Sequence, residues 1–295
     1  MNAGQESARL VVGATEVARY VVDPALDARH GPRPYLHPVR TLGGTVVTDA
    51  LPADHVWHLG ASLAVPDVNG SNLWGGRTYV RDVGYTWRAD HGRIAHTGWS
   101  QRSADRLAHR LEWRDPQGAV LLTENRRLGA VSVDGHVPAW RLDVDYTLRA
   151  PDGQDVRLGS PTTNGRPDRA GYGGFFWRAV SAEPASVFGP STTGEEAVNG
   201  SAEPWVALVG TGPDGRAYTL VFSGLGDGDR WFTRTAMYPG VGVAFAFERP
   251  ATIAAGTTRR GRHAVVVADG ALDAGTAAAL AAGASIRRPD GATTS

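Results

Sequence analysis

The densest cluster of side chains able to do chemistry is the run Asp54-His-Val-Trp-His-Leu-Gly60, in which His55 and His58 lie three residues apart. In a helical turn or a tight loop both imidazoles can reach one ligand, whereas in an extended strand they point to opposite faces. Imidazole titrates near neutral pH and suits general acid–base catalysis. A metal site here would need a third ligand, for which Asp67 is the candidate. The alternative is a pair of hydrogen-bonded loop histidines.

A second polar segment, residues 66–74, places amide and carboxylate side chains beside an indole. Proteins hold sugars in this way, because sugar C–H groups stack on an aromatic face while the hydroxyls need paired donors and acceptors. The alternative is a loop of Asx turns beside a core tryptophan. The substrate-binding candidates in this segment are Asp67, Asn69, Asn72 and Trp74.

Two further candidates lie on predicted strands. His96 shares a strand face with Ile94, and Glu124 shares another with Arg126. A packed histidine and a surface ion pair worth little are the structural alternatives. A carboxylate buried beside His96 is instead a candidate acid or base with a shifted pKa. We therefore predict His96, Glu124 and His58 as catalytic residues.

A glycine-rich segment completes the candidate site. Gly171-Tyr-Gly-Gly174 permits a close approach of the backbone and is followed by Phe175, Phe176 and Trp177. Tyr172 and Arg178 flank this run. Together with His55, they are predicted to contact the substrate.

Period-two alternation of apolar residues predicts the elements that must position these side chains. Residues 141–148 put Leu142, Val144, Tyr146 and Leu148 on one face. Further strands are predicted at residues 10–12, 17–22, 217–222, 241–247 and 262–267. Turn sequences with glycine separate many of the strands, at 116–118, 134–135, 151–153, 213–215 and 227–228. We predict a mostly β, large antiparallel β-sandwich.

The remaining segments complete this organisation. Residues 272–282, rich in alanine, predict one short C-terminal helix. The long stretches 51–81 and 160–174 are rich in tryptophan and tyrosine, which predicts ordered loops that build the site. We expect a single domain over 1–295, with an ordered core at about 8–285 and a frayed tail at 287–295.

Composition excludes several classes of function. With 30 basic and 30 acidic residues the formal net charge is zero, so neither nucleic acid nor a membrane surface is an expected partner. The chain has no cysteine, which excludes disulfides, thiolate catalysis and iron–sulfur clusters. Every basic residue is arginine, so Schiff-base catalysis by lysine is excluded too. Residues 1–20 lack an apolar signal segment, and no run is long enough to span a membrane, so we expect a cytoplasmic protein.

The motifs above, in this order and at these spacings, resemble the bacterial PmoA-like family of unknown function, often labelled methane oxygenase PmoA. The matching elements are Asp54-His55 with His58, Asp67-Val-Asn-Gly70, Leu73-Trp-Gly75, Gly92-Arg-Ile-Ala-His96, Glu124-Asn-Arg-Arg-Leu128, the opening Arg33-Pro-Tyr-Leu-His-Pro38, the late Pro204-Trp205 and the closing residues 255–256 and 269–270. The resemblance covers residues 33–270. Members of that family carry a denser histidine run where this chain has His55-Val-Trp-His58, and residues 171–174 match only loosely.

The resemblance implies carbohydrate metabolism and closing strands similar to those of the aldose-mutarotase type of sandwich. It does not imply methane oxidation, because a particulate methane oxygenase subunit spans a membrane and no segment here is able to. We therefore predict an enzyme that acts on a sugar or oxidised glycoside by general acid–base chemistry: epimerisation, β-elimination or hydrolysis. A two-carboxylate glycosidase is disfavoured, because no second carboxylate accompanies Glu124.

Two alternatives stay open at this point. The same loops would serve a non-catalytic carbohydrate-binding or accessory protein, or a metal-dependent enzyme using His55, His58 and Asp67. The main hypothesis predicts a small carbohydrate substrate, no cofactor and no tightly bound transition metal, and leaves the oligomeric state open. It also places His58, Asn69, Trp74 and His96 in one cavity.

Overall fold

The computed structural model of the protein describes residues 6–283. In chain order the first ten strands are β1 Ser7–Val12, β2 Thr15–Val21, β3 Tyr35–Val39, β4 Ala61–Ala64, β5 Asp67–Val68, β6 Thr78–Val80, β7 Gly84–Thr86, β8 Arg93–Arg102, β9 Arg106–Arg114 and β10 Val120–Val133. The next ten are β11 Ala139–Arg149, β12 Val156–Gly159, β13 Gly174–Arg178, β14 Ser186–Phe188, β15 Trp205–Thr211, β16 Ala217–Ser223, β17 Arg230–Arg234, β18 Gly240–Ala244, β19 Ala251–Ile253 and β20 Thr258–Asp269. The helices are a 3₁₀ turn at Ala28–His30, α1 at Glu195–Val198 and α2 at Ala274–Gly283.

Two large antiparallel sheets form the body of the fold. One has seven strands in the order β1-β2-β3-β4-β13-β18-β17, and the other has eight in the order β14-β15-β16-β20-β11-β10-β9-β8. A three-stranded sheet, β19-β12-β5, and the β6–β7 hairpin complete the β structure of the described residues. One continuous hydrophobic cluster draws side chains from both large sheets, including Tyr20, Phe176, Tyr146 and Val265. The predicted mostly β, sandwich-like fold is confirmed.

The period-two pattern explains why these residues pair as they do. Within residues 141–148 of β11 the buried positions are Leu142, Val144, Tyr146 and Leu148, as the alternation predicted, and this strand pairs with β10 on one side and β20 on the other. The predicted turns at 116–118, 134–135 and 213–215 join β9 to β10, β10 to β11 and β15 to β16. Alternation together with turn chemistry thus predicted most of the large sheet.

One predicted strand is too long. Residues 241–247 were expected to be extended, but β18 ends at Ala244 and the chain then turns. Phe245 and Phe247 are nevertheless buried. The apolar pattern continues past the strand because the turn itself packs into the core.

The C-terminal helix was predicted at 272–282 and is observed at Ala274–Gly283. Its small residues Ala277 and Ala281 pack in a second hydrophobic cluster with side chains of the eight-stranded sheet, among them Ala207, Val221 and Val266. None of the helices in residues 6–283 has the length and apolar character needed to cross a membrane. The frayed tail predicted at 287–295 lies outside the described residues, and the single domain over 1–295 stays a prediction.

Candidate functional site

A cavity of about 440 Å³ lies among loops of the seven-stranded sheet and the β6–β7 hairpin. This volume is within the usual range for small-molecule sites. Seven aromatic side chains line it: Trp57, Trp74, Tyr85, Trp87, Tyr172, Phe232 and Tyr238. Both stretches predicted as site loops, 51–81 and 160–174, contribute lining residues, but 51–81 is not a continuous loop because it contains β4, β5 and β6.

The rim of this cavity is unusually apolar for protein surface. Tyr85, Trp87 and Met237 all line it, yet Trp87 is 47% and Met237 66% exposed to solvent. Exposed large apolar side chains that cluster around a concavity are a mark of binding surfaces, whereas isolated ones are ordinary. The rim therefore points to a ligand.

His55 and His58 converge on the cavity. The His58 amide donates to the His55 carbonyl at 2.8 Å and the His55 amide donates to the Pro52 carbonyl at 3.1 Å, so the segment is a tight turn. The two rings stack with centroids 4.7 Å apart and planes at 15°. Tyr238 closes against both of them, at 4.9 Å from each ring centroid. The tight-loop alternative for this histidine pair is the one observed.

His58 is buried, and its Nδ1 atom has no hydrogen-bond partner among the described residues. Burial, reinforced by the positive charges of nearby residues including Arg178 and Arg33, holds the pKa of His58 well below its usual range. The ring is therefore neutral at pH 7. A buried nitrogen without a hydrogen-bond partner is costly, and among the residues that line the cavity His58 is the one that carries such an atom.

His55 faces a different environment. Its Nδ1 atom lies 3.0 Å from Oδ2 of Asp54. Partial burial raises the pKa of the Asp54 carboxyl, but the hydrogen bond with His55 and the charge of Arg178 outweigh this and hold that pKa below its usual value. Asp54 is thus an anion that orients the His55 ring beside His58.

Arg33 fixes the two loops that carry Trp57 and Trp74. Its fully buried guanidinium donates to the carbonyls of Trp74 at 2.9 Å and Trp57 at 3.1 Å, and to Oγ of Ser62 at 3.1 Å. Burial lowers the pKa of Arg33 to about 9. Arg33 belongs to the Arg-Pro-Tyr motif noted in the sequence, but its positioning role was not predicted.

Asn72 also fixes the loop that carries Trp74. Its Oδ1 atom accepts from the amides of Trp74 at 3.0 Å and Gly75 at 2.9 Å, and its amide nitrogen donates to Oγ1 of Thr78. The side chain is buried and its bonds lie within the loop. Predicted to contact substrate, Asn72 instead holds the backbone of Trp74, and it does not line the cavity.

Gly75 and Gly76 allow Trp57 to lie flat against this loop. Both have positive φ, at 96° and 74°, and a Cβ on Gly76 would come within 2.6 Å of the indole of Trp57. A side chain at Gly76 would displace the ring, and a Cβ on Gly75 would clash with the His30 backbone at 2.7 Å and with Cβ of Trp57 at 2.8 Å. The Leu73-Trp-Gly75 element of the sequence and the following Gly76 thus pack against Trp57, which forms part of the cavity wall.

Asp67 and Asn69 lie outside the aromatic cavity. Asp67 accepts from Arg157 at 2.7 Å and from the Gly70 amide at 2.9 Å, and it lines a separate polar groove. The Asn69 side chain bonds the backbone of Asp155 and Arg157, at 3.1 and 2.8 Å. These bonds use the polar atoms that were predicted to contact a substrate, so the expected common cavity is not observed for Asn69.

Arg178 lies one layer behind the cavity. Its guanidinium stacks 4.6 Å over the ring of Tyr238 and donates to the Asp54 carboxylate at 3.1 Å. Tyr238 separates it from the lumen, so Arg178 acts on the site through the charge it places near His58. Of the predicted substrate-binding residues, the cavity is lined by His55, Trp74 and Tyr172.

His96 and Glu124 belong to another region, the buried polar chain, which consists of His96, His109, Tyr20, Arg126, Glu124 and Trp113. Glu124 lies on β10 with its side chain fully buried, and it accepts two bonds from Arg126, at 2.6 and 2.9 Å, and one from Trp113 Nε1 at 2.7 Å. The structure therefore excludes a surface ion pair. Neither His96 nor Glu124 lines the cavity, because β8 and β10, which carry them, belong to the eight-stranded sheet.

The proton positions in the buried polar chain follow from donor chemistry. Arg126 can only donate, so the Tyr20 hydroxyl, 3.0 Å away, accepts from it and gives its own proton to Nε2 of His109, also at 3.0 Å. His109 then carries its proton on Nδ1 and donates to Nδ1 of His96 at 2.9 Å. Burial lowers the pKa of His109 to about 2, consistent with a neutral acceptor ring.

Several cavity residues were not predicted. Tyr85 and Trp87 come from the β6–β7 hairpin and the residues after it, and Phe232, Arg234 and Tyr238 come from β17 and the loop that follows. No spacing in the sequence joins position 58 to position 238. The exposed aromatic residues of the hairpin were the available indication.

Among the described residues, no group of three or more His, Asp or Glu side chains is arranged to hold a metal ion. His55 and His58 stack without a third ligand of that kind. The absence of a transition metal therefore stays a prediction, and so does the absence of a cofactor.

The fold and the cavity define a sandwich-like, mostly β protein with an aromatic-lined cavity. Comparison with protein families shows that the chain belongs to DUF6807, a family of unknown function, which it matches over residues 7–282. Neither a curated protein nor a solved structure matched the chain significantly.

Proposed function

We propose that the aromatic cavity binds a carbohydrate and that the protein acts on it by general acid–base chemistry at His58. One observation carries the proposal: a buried imidazole with an unpartnered Nδ1 atom is a wall residue of a cavity otherwise built largely from aromatic rings. The resemblance to PmoA-like proteins, which implies carbohydrate metabolism, supports the same substrate class.

The aromatic walls suit a sugar better than a flat aromatic ligand. Trp74 and Tyr172 face each other with centroids 4.8 Å apart at 42°, and Trp57 and Trp87 meet edge to face at 6.4 Å. Such tilted faces offer several C–H stacking surfaces rather than one parallel slot. The hydroxyls of Tyr85 and Tyr172, 3.0 Å apart, supply polar partners within the same wall.

His58 suits the role of a general base. Burial and nearby positive charges hold its pKa well below the usual range, so the ring is neutral at pH 7 and in the form that can accept. The same factors make it a weak base, and an anionic ligand beside it would raise its pKa toward the range that proton transfer requires. His55, stacked on it and oriented by Asp54, is placed to assist the transfer. No Asp or Glu is among the described residues that line the cavity, which favours epimerisation or elimination over two-carboxylate hydrolysis.

The same absence of carboxylates also favours a second candidate, a non-catalytic carbohydrate-binding protein that uses the cavity only to hold its ligand. Both candidates place the sugar against the same rings. They differ in whether His58 moves a proton.

A two-stage experiment tests this proposal. The full chain is first screened for thermal stabilisation by glucose, galactose, glucuronate, galacturonate and gluconate. Each stabilising sugar is then incubated in D₂O and followed by ¹H NMR for loss of a C–H signal or appearance of a product. We expect reaction with the natural protein and a rate about 10²–10⁴-fold lower for His58→Asn.

The control variant is His136→Asn, which changes an exposed histidine remote from the cavity lining. It should react at the natural rate. Binding without deuterium exchange or product would show the non-catalytic alternative instead, and failure of every sugar to stabilise the protein would remove the carbohydrate proposal.

A further inference from the structure

The charged side chains that line the cavity are all cationic. They are Arg77, Arg166 and Arg234, and no carboxylate accompanies them among the described lining residues. The chain as a whole is balanced, with 30 basic and 30 acidic residues. A wall with three guanidinium groups therefore departs from the composition of the protein and favours a negatively charged ligand.

Arg166 and Arg234 act on the same part of the cavity. Both influence the ionisation of Asp168 and of Tyr238, so both lie within electrostatic reach of these two residues. Arg166 donates to the hydroxyl of Tyr85 and to Asp168, which tie its guanidinium into the wall. The ion pair with Asp168 holds the Arg166 guanidinium in place and neutralises its charge, which leaves Arg234 and Arg77 as the cavity arginines to consider for a ligand.

Arg234 is only weakly neutralised. Its guanidinium stacks 4.6 Å over the ring of Phe232, and the nearest carboxylate oxygen, from Glu195, is 3.7 Å away. The other carboxylate oxygen of Glu195, Oε2, accepts from the amides of Thr235 at 2.6 Å and Ala236 at 2.9 Å, and Nη1 of Arg234 donates to the Thr233 carbonyl at 2.8 Å. Arg234 therefore keeps donor capacity for a ligand.

Arg77 is exposed and makes no ion pair within the part of the chain that the structure describes. Its guanidinium lies 5.9 Å from the ring centre of Trp87 at the rim. A cation at the mouth of an apolar cavity attracts anions and is available to pair with one.

This inference rests on the proposed function. We propose that the cavity selects an acidic sugar, a uronate or an aldonate. The carboxylate of this ligand pairs with Arg234 and Arg77, and its carbon skeleton packs on the aromatic wall. Guanidinium and carboxylate match in geometry and form charge-assisted hydrogen bonds. A neutralised carboxylate also acidifies the neighbouring C–H bond: the proton passes to His58 and the electron pair moves onto the carboxylate. The acidic group thus serves binding and proton abstraction together.

Calorimetric titration of the full chain tests the charge directly. The probes are glucuronate and galacturonate, their neutral analogues glucuronamide and galacturonamide, and the neutral sugars glucose and galactose. We expect at least one acid to bind about tenfold or more tightly than its amide. That advantage should shrink as KCl is raised from 0.05 to 0.5 M.

Arg234→Gln and Arg77→Gln should each remove most of the advantage of the acid over its amide. Arg77 is exposed, so that variant is expected to fold even if Arg234→Gln does not. Arg127→Gln is the matched control, since Arg127 is an exposed arginine on β10 outside the cavity. It should leave the advantage unchanged.

Equal affinity of acid and amide would overturn this inference and leave the proposed function intact, as would an equal effect of Arg127→Gln. If none of the sugars binds, acidic or neutral, the proposed function falls and this inference with it.

Discussion

The aromatic cavity and the buried polar chain both contain histidine, tyrosine, tryptophan and arginine, but they differ in how the polar atoms of these residues are bonded. In the chain, Glu124, Arg126, Tyr20 and His109 bond to one another inside the sandwich. In the cavity, Nδ1 of His58 has no partner among the described residues. Side-chain type alone therefore does not distinguish a structural network from a candidate ligand site. The distinction lies in whether the buried polar atoms have hydrogen-bond partners.

The two regions also differ in what surrounds them. The buried polar chain connects β2, β8, β9 and β10 across the core between the sheets, where a missing partner would strand a charge. The cavity is formed by loops, and its rim leaves Trp87 and Met237 in solvent. Substitutions in the first region should act on stability, and those in the second on binding.

The largest expected effect is the loss of stability in Arg126→Met. Removing the guanidinium leaves the buried Glu124 carboxylate without its counter-charge, which typically costs about 3–5 kcal/mol. Arg234→Met, the same change in the cavity wall, removes a weakly paired group and should cost on the order of 1 kcal/mol or less. Urea denaturation followed by tryptophan fluorescence measures both free energies of unfolding. Equal losses would break the distinction between the two regions.

A smaller effect is expected in the pH dependence of stability. Burial lowers the pKa of His109 to about 2, whereas in the unfolded chain it returns to about 6.5. Below about pH 6.5 the unfolded chain therefore binds a proton that the folded protein does not. The stability contributed by neutral His109 is present above that pH and is lost as the pH falls, by up to about 1.4 kcal/mol per pH unit.

His109→Gln should remove this contribution. The free energy of unfolding of the variant, measured from pH 7 to pH 5, should fall less steeply than that of the natural protein. His136→Gln, at an exposed position, should keep the natural slope. Identical slopes for all three proteins would show that His109 is not held neutral.

Much of the eight-stranded sheet could be predicted from the sequence because its long strands β10 and β11 alternate buried and more exposed positions over most of their length. The same alternation also predicts on which face of β10 Glu124 and Arg126 lie. They occupy inward positions of β10 in register with Leu122, Leu128 and Ala130, all of which are buried. Their charge favoured a surface position, but the periodicity placed them in the core.

The site was less predictable, and the reason is physical. His55, His58 and Trp74 come from one short stretch of sequence and were recognised together, whereas Tyr238 and Arg234 reach the cavity from a distant part of the chain. Contacts between distant segments leave no spacing pattern in a single sequence. Asn69 and Asn72 were misplaced for another reason: an amide that bonds to its own loop has the same sequence as one that faces a ligand.

The most direct test of a ligand site in the aromatic cavity is a titration of the ¹⁵N-labelled protein followed through its nine indole N–H signals. Trp→Phe variants assign the signals, and the titrant is whichever sugar stabilises the protein in the thermal screen. We expect the signals of Trp57, Trp74 and Trp87 to move along one binding curve while those of Trp99 and Trp113 stay in place. If only the signals of Trp99 and Trp113 moved, or if none of the three cavity indole signals moved, the result would contradict a ligand site in the cavity.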